Sequence, residues 1–186
     1  NKVMYMYNDL QGYTERYDVA EELWKKYIIK ISYEEDINPW KNMEGYNCFG
    51  CSPDNEAGVR MEFYEDGDEI VSIWKPPSGV SGGGWIRCMG GIQSVLLDEI
   101  CGWVVFRKLQ TGGVTSKMET RFRKSISTND THLVLRASLR EQKRNIAVIE
   151  ARLYNNMGEL CTEATCTYFT FPQEKAEKEM CFIIVM

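Results

Sequence analysis

Apolar and polar residues change rhythm several times along the chain, and each change marks a different kind of element. In the first 38 residues, the run Asp18-Val-Ala-Glu-Glu-Leu-Trp-Lys-Lys-Tyr27 places Val19, Leu23, Trp24 and Tyr27 at helical spacing behind Asp18 as N-cap. Residues 1–38 therefore read as a helical extension that packs on the rest. Residues 38–53 are rich in Gly, Asn and Pro, the composition of a loop. Residues 59–64 and 70–74 then read as two strands joined by Glu65-Asp-Gly-Asp68, since Asp-Gly between such runs is a hairpin signal. After a Gly-rich break at 76–84, Gly90-Gly91 opens the apolar stretch 92–109, which has no Pro, one internal Gly and too great a length for a strand. It is the predicted central helix. Four segments with period two follow, at 115–126, 133–140, 146–154 and 161–171, divided by turn-forming clusters at 127–130, 142–145 and 155–158.

A strand pair, one buried helix and an antiparallel meander make an α+β class, a sheet wrapped around a single long helix. The expected division is an extension at 1–38, one domain at 39–172 and a tail at 173–186, whose apolar last residues, 180–186, add an edge strand or pack on a partner.

Composition narrows the function. With 186 residues, 44% hydrophobic and 26% charged, the chain suits one globular domain plus an extension. A net charge of -5 and a pI near 5.1 speak against a nucleic-acid partner. No leader pattern and no apolar run of about 18 residues is present, so the expectation is a cytoplasmic protein without a membrane partner. Seven scattered cysteines read as reduced thiols. The single histidine, His132, sits beside a predicted turn, which excludes schemes that lean on imidazole. Cys48-Phe-Gly-Cys51 has the spacing of half a zinc site, but no second Cys or His pair follows, so it reads as a turn with two packed thiols and no metal is expected.

The central helix carries the candidate chemistry. On a wheel of about 100° per residue, Gly91, Ser94, Cys101, Gly102 and Val105 fall within about 60° of Asp98, a narrow stripe of small residues. The rest of the circumference is apolar, so Asp98 and Glu99 are expected mid-helix in a dry place, where an acid needs a partner or a task. Gly90 and Gly91 leave backbone N–H groups uncovered at the positive end of the helix dipole, where they can polarise a carbonyl oxygen. Gly91 lies about 10 Å along the axis from Asp98 at 1.5 Å per residue, too far for both to serve one carbonyl. A carboxylate from an oppositely running helix of a second copy solves this, which predicts a dimer with two sites.

These residues resemble a known family. Gly90-Gly-Ile-Gln-Ser-Val-Leu-Leu-Asp-Glu99, followed by Gly113-Val-Thr115 and a basic strand, looks like the hotdog-fold thioesterase superfamily of the phenylacetate-pathway type, and Gly45-Tyr-Asn-Cys-Phe-Gly-Cys-Ser-Pro-Asp-Asn55 looks like the lead-in of many bacterial members. The resemblance spans roughly 38–172 and implies a homodimer that hydrolyses an acyl-CoA thioester with no cofactor beyond the coenzyme A of the substrate. It leaves open whether two dimers join. By matching position, Asp98 takes the acid role as base or nucleophile, Gly90 and Gly91 the carbonyl role, Thr115 the assisting hydroxyl, and Glu99 stands in reserve. Arg121, Arg123 and Lys124, on or next to the strand after the helix, are candidates for the coenzyme A phosphates. One departure stands out: where the family usually has His before Gly-Gly, this chain has Met89. It motivates the rival reading, a non-catalytic acyl-CoA-binding hotdog protein.

Overall fold

In the computed structural model, which describes residues 36–82 and 86–179, six strands form one antiparallel sheet. They are β1 (Tyr64–Asp66), β2 (Glu69–Trp74), β3 (Gly113–Phe122), β4 (Leu133–Lys143), β5 (Ile146–Tyr154) and β6 (Leu160–Thr170), in the spatial order β1-β2-β4-β5-β6-β3. Between β2 and β3 runs helix α1 (Gly90–Lys108), and a short α2 (Gln173–Glu179) follows β6. The helix packs against β2 through β6, so the sheet wraps around it as the sequence pattern predicts. The extension expected at 1–38 lies outside the described residues except for its last three, as do residues 83–85 and 180–186.

Side-chain size explains how the sheet accommodates the helix. Ile70, Ala137, Ala151 and Ala164 stand in one row across β2, β4, β5 and β6, each the cross-strand partner of the next. Three alanines side by side leave a trough on the inner face. Leu135 and Leu153 flank it on one side and Ile149 and Cys166 on the other, all fully buried. Into this surface α1 sinks Leu96, Leu97, Ile100 and Val104, each with no solvent exposure. Such burial contributes roughly 1.5–3 kcal/mol per large side chain.

Both ends of α1 are set locally. Met89 is extended (φ -63°, ψ 138°) and offers no side-chain cap, so the first N–H groups have no capping partner from that residue. At the other end Gln110 adopts a left-handed conformation (φ 51°), and its Nε2 donates to the Arg107 carbonyl at 2.8 Å. Arg107 and Lys108 in the last turn complement the dipole and bind Glu65 of β1 at 2.6 and 2.8 Å, tying the helix to the first hairpin.

Three details depart from the sequence expectation. The first strand is three residues long, because 59–63 pairs with the preceding loop instead of β2: Val59 N–H donates to Phe49 O and Met61 N–H to Gly50 O, both at 2.8 Å. Its alternating apolar residues, Val59, Met61 and Phe63, are buried all the same, so the pattern was real and its partner different. The hairpin turns on Gly67-Asp68 alone, with Gly67 at φ 60°. β3 ends at Phe122, before 126, because the N–H groups of Arg123 and Lys124 both converge on Cys161 O, at 2.7 and 3.0 Å, and close the ladder.

His132 is a core residue. The residue is 3% exposed, Nδ1 lies 2.8 Å from Thr131 Oγ1, and burial pushes its pKa down to about 3. The unfolded chain therefore takes up a proton near the ordinary value while the folded one does not, so the contribution is intact above about pH 6.5 and is lost as pH falls below it. Urea unfolding should show stability falling by about 1.4 kcal/mol per pH unit between about pH 6 and 5 from this group. In His132→Gln that part of the slope should vanish.

Candidate active site

Asp98 lies near the middle of α1, on the side that the sheet leaves open. Thr115 Oγ1 donates to Asp98 Oδ1 at 2.7 Å, and Tyr168 OH is directed at the same oxygen at 3.1 Å and at the Asp98 carbonyl at 2.8 Å. Thr115 and Tyr168 are direct cross-strand partners on β3 and β6, so one rung of the sheet carries both hydroxyls to one face. A bulge follows at once, between Thr115 and Lys117. Gly102, one turn after Asp98, faces the same phenol: a Cβ there would meet the Tyr168 hydroxyl at 3.5 Å, an ordinary contact. Burial, and then the charge of Asp98, push the Tyr168 pKa up, which keeps the phenol protonated as a donor.

Asp98, Thr115 and Tyr168 line a cleft of about 450 Å³. Trp40, Tyr46, Trp103 and Phe106 form much of its apolar lining, with Trp40 against Phe106 at 4.5 Å between ring centroids. Glu99 lines the same cleft with Cys48 and Cys51 beside it. Asp98 and Glu99 are thus half-buried at a cleft wall, which corrects the dry interior expected from the wheel. The apolar circumference is real, but the sheet does not close over this side.

The Glu99 end was not foreseen. Glu99 Oε1 accepts from Trp103 Nε1 at 3.1 Å and lies 3.6 Å from Cys48 Sγ, while Cys51 Sγ donates to Cys48 Sγ at 2.9 Å. That last bond lowers the Cys48 pKa to about 7 against the effect of burial. The same bond and burial push Cys51 up. Gly50 is packed so tightly that a Cβ there would overlap the Glu99 carboxyl carbon.

The other predicted residues lie elsewhere in the chain. Gly90 and Gly91 form the helix start, outside the cleft lining. The end of the Met89 side chain lies over Gly91, 3.0 Å from where its Cβ would be, and the Phe122 ring sits 3.2 Å from the corresponding point on Gly90. Behind this turn, Gln93 is buried and donates to the Cys88 carbonyl at 3.0 Å while accepting from Thr162 Oγ1, which pins the turn to β6. Arg121, Arg123 and Lys124 do not line the cleft either. Arg123 pairs with Glu163 at 2.5 Å, Lys124 with Glu159 at 2.6 Å, and Arg121 faces Glu163 across the ladder. His132 is absent from the lining as well.

Tyr168 and Gln93 are the residues that sequence reasoning missed, while Gly102 was placed on the small stripe beside Asp98 without a role. Tyr168 had a signal: on β6 it shares the inward face with Ala164, Cys166 and Thr170, so a phenol stands among small side chains opposite a helix glycine. Replacing Gly50 by Ala should displace Glu99 or the loop and destabilise the protein by about 1–3 kcal/mol. Gly102→Ala, whose new methyl meets only an ordinary contact, should change the melting temperature far less, and thermal melts of the two variants check the difference.

Comparisons with known proteins agree with the fold. The family model for the thioesterase superfamily matches residues 87–162, from just before α1 into β6. Among solved structures, a hypothetical thioesterase protein of Streptococcus pneumoniae with coenzyme A is 25% identical, with a TM-score of 0.56 over 61% of this chain and 87% of that one. A Streptococcus mutans protein bound to acetyl CoA is 16% identical, with a TM-score of 0.57 over 70% and 96%. The Escherichia coli PaaI protein, from the phenylacetic acid degradation operon, is 16% identical, with a TM-score of 0.56 over 61% and 81%. Among curated proteins, none matches the chain. Over residues 87–162 the chain matches the thioesterase superfamily, and its fold is the hotdog fold that the sequence resemblance implied.

Proposed function

We propose that this protein is an acyl-CoA thioesterase whose working site joins the Asp98 cleft of one copy to the Gly90-Gly91 turn of another. The observation that carries the reading is the Asp98 carboxylate, held by Thr115 and Tyr168 at the wall of an aromatic-lined cleft. The superfamily match and the coenzyme A in two structures of this fold support the substrate class.

In this mechanism Asp98 takes a proton from water as the water oxygen attacks the thioester carbonyl. The carbonyl oxygen gathers negative charge and is met by the Gly91 N–H of the second copy, with the helix dipole behind it. As the tetrahedral intermediate collapses the carbon–sulfur bond breaks, and the proton held on Asp98 passes to the leaving sulfur. The products are a carboxylic acid and the free thiol of coenzyme A. Thr115 and Tyr168 fix the carboxylate by donating to it, and both are neutral, so its charge stays available. The arrangement also allows attack by Asp98 itself, with an anhydride then hydrolysed by water.

The need for a second copy rests on distance and surface. Asp98 and Gly91 of one helix are about 10 Å apart along the axis. β3 is an edge strand of the sheet, and Ile86, Met89, Val114 and Phe122, which lie on it or near its ends and the Gly-Gly turn, are 47–55% exposed. That apolar border suits burial against a copy of itself. Arg121, Arg123 and Lys124 remain the candidates for the coenzyme A phosphates, and Arg123 and Lys124 would exchange their present carboxylate partners for phosphate oxygens.

A second reading has one specific observation behind it. Met89 covers Gly91 where the family's His would stand, and a thioether offers the thioester no donor. The protein would then bind acyl-CoA without cleaving it.

Thiol release from short, aromatic and long acyl-CoA substrates distinguishes the two. Wild type should release thiol, and Asp98→Ala should lose about 10²–10⁴-fold in kcat with its melting temperature retained. Thr115→Ala and Tyr168→Phe should fall between the two. Binding without release by wild type would establish the second reading, and a fully active Asp98→Ala would refute the assigned acid.

A further inference from the structure

Glu99 leaves α1 one position after Asp98, about 100° further round the helix, and meets a different set of groups. Cys48 and Cys51 reach it from the loop ahead of β1, and the two sulfurs and a Glu99 carboxylate oxygen all lie within 4.8 Å of one another. We propose that Cys48, Cys51 and Glu99 bind one zinc-class divalent ion, with the fourth coordination position open to the cleft.

The donor set selects the metal. Two thiolates with one carboxylate suit Zn²⁺ and disfavour Mg²⁺ or Ca²⁺, which take oxygen alone. Bond lengths of about 2.3 Å to sulfur and 2.1 Å to oxygen at tetrahedral angles put S···O near 3.5 Å and S···S near 3.8 Å. Cys48 Sγ and Glu99 Oε1 are already 3.6 Å apart. The two sulfurs stand 2.9 Å apart, so ion binding needs them to separate by about 1 Å, within reach of small side-chain rotations.

The surroundings are built to hold these atoms. Trp103 Nε1 holds Glu99 Oε1, the kind of outer contact that orients a ligating carboxylate. Asn38 Nδ2 donates to the Cys51 carbonyl at 3.1 Å, and the missing side chain at Gly50 lets the loop close on Glu99. Tyr46 OH, 2.7 Å from Cys51 Sγ, completes the wall.

All three ligands line the cleft, so an ion can enter from it and keep one exchangeable position for water or a ligand atom. The sequence reading looked for the remaining ligands as a second Cys or His pair, whereas Glu99 comes from a helix 51 residues after Cys48. Glu99, the reserve acid of that reading, becomes a ligand. The proposal does not depend on hydrolysis.

The test is metal content. Reduced wild type, loaded with Zn²⁺ and passed through gel filtration, should retain one zinc per chain by elemental analysis. Co²⁺ loading should add a sulfur-to-cobalt charge-transfer band. Cys48→Ser, Cys51→Ser and Glu99→Gln should each weaken zinc retention by more than about tenfold, and the cysteine variants should lose the band. Asp98→Ala should hold zinc like wild type even if it cannot turn over, so the two proposals fail separately. Reduced wild type that retains no zinc, a Cys48–Cys51 disulfide with no metal binding after reduction, or equal retention in all variants would overturn the site.

Discussion

Everything in this domain follows from having to bury one helix. With Leu96, Leu97, Ile100, Trp103 and Val104 nearly inaccessible, α1 needs apolar cover from the sheet, and the alanine row across β4, β5 and β6 lets the sheet approach closely. A sheet of six strands cannot enclose a helix completely. The side left open is where Asp98 and Glu99 stand, so the position of the cleft is a consequence of packing before it is one of chemistry.

Two adjacent acids on a helix diverge, and this divergence gives the cleft two unlike ends. Asp98 turns toward a rung of the sheet that supplies two hydroxyls, Thr115 and Tyr168. Glu99 turns toward a loop that supplies an indole N–H from Trp103 and two thiols. No lysine or arginine lines the described cleft, so both carboxylates are oriented by neutral donors and neither is neutralised by a cation there. The bases of the chain are used elsewhere, Arg107 and Lys108 to fasten the helix end and Arg123 and Lys124 to close the exit of β3.

Much of this was legible in the order of residues, because period two and period 3.6 report burial directly. The long helix and the meander lie in regular patterns, while the placing of Thr115 near Asp98 came only from the family resemblance. What was not legible depends on pairing between distant segments. The pattern of Val59, Met61 and Phe63 announces an apolar face without saying that the loop at Phe49 and Gly50 covers it. Tyr168 is 70 residues from Asp98 and Glu99 is 51 from Cys48, and only the register of β3 on β6 and the path of the loop bring them together. The half-burial of the two acids was misread for a related reason: a wheel counts apolar positions on the helix and is blind to where the sheet stops.

The central claim is that the acid and the carbonyl donor of one site come from different copies. Mixing two inactive variants tests it most directly: Asp98→Ala, which lacks the acid, and Gly91→Pro, which lacks the N–H yet stays compatible with a first helical turn. If the claim holds, half of the randomly formed pairs are mixed, each with one intact site of two, and activity returns to about a quarter of wild type. Mixed pairs that form but remain inactive would contradict it, since acid and donor would then have to act from the same chain.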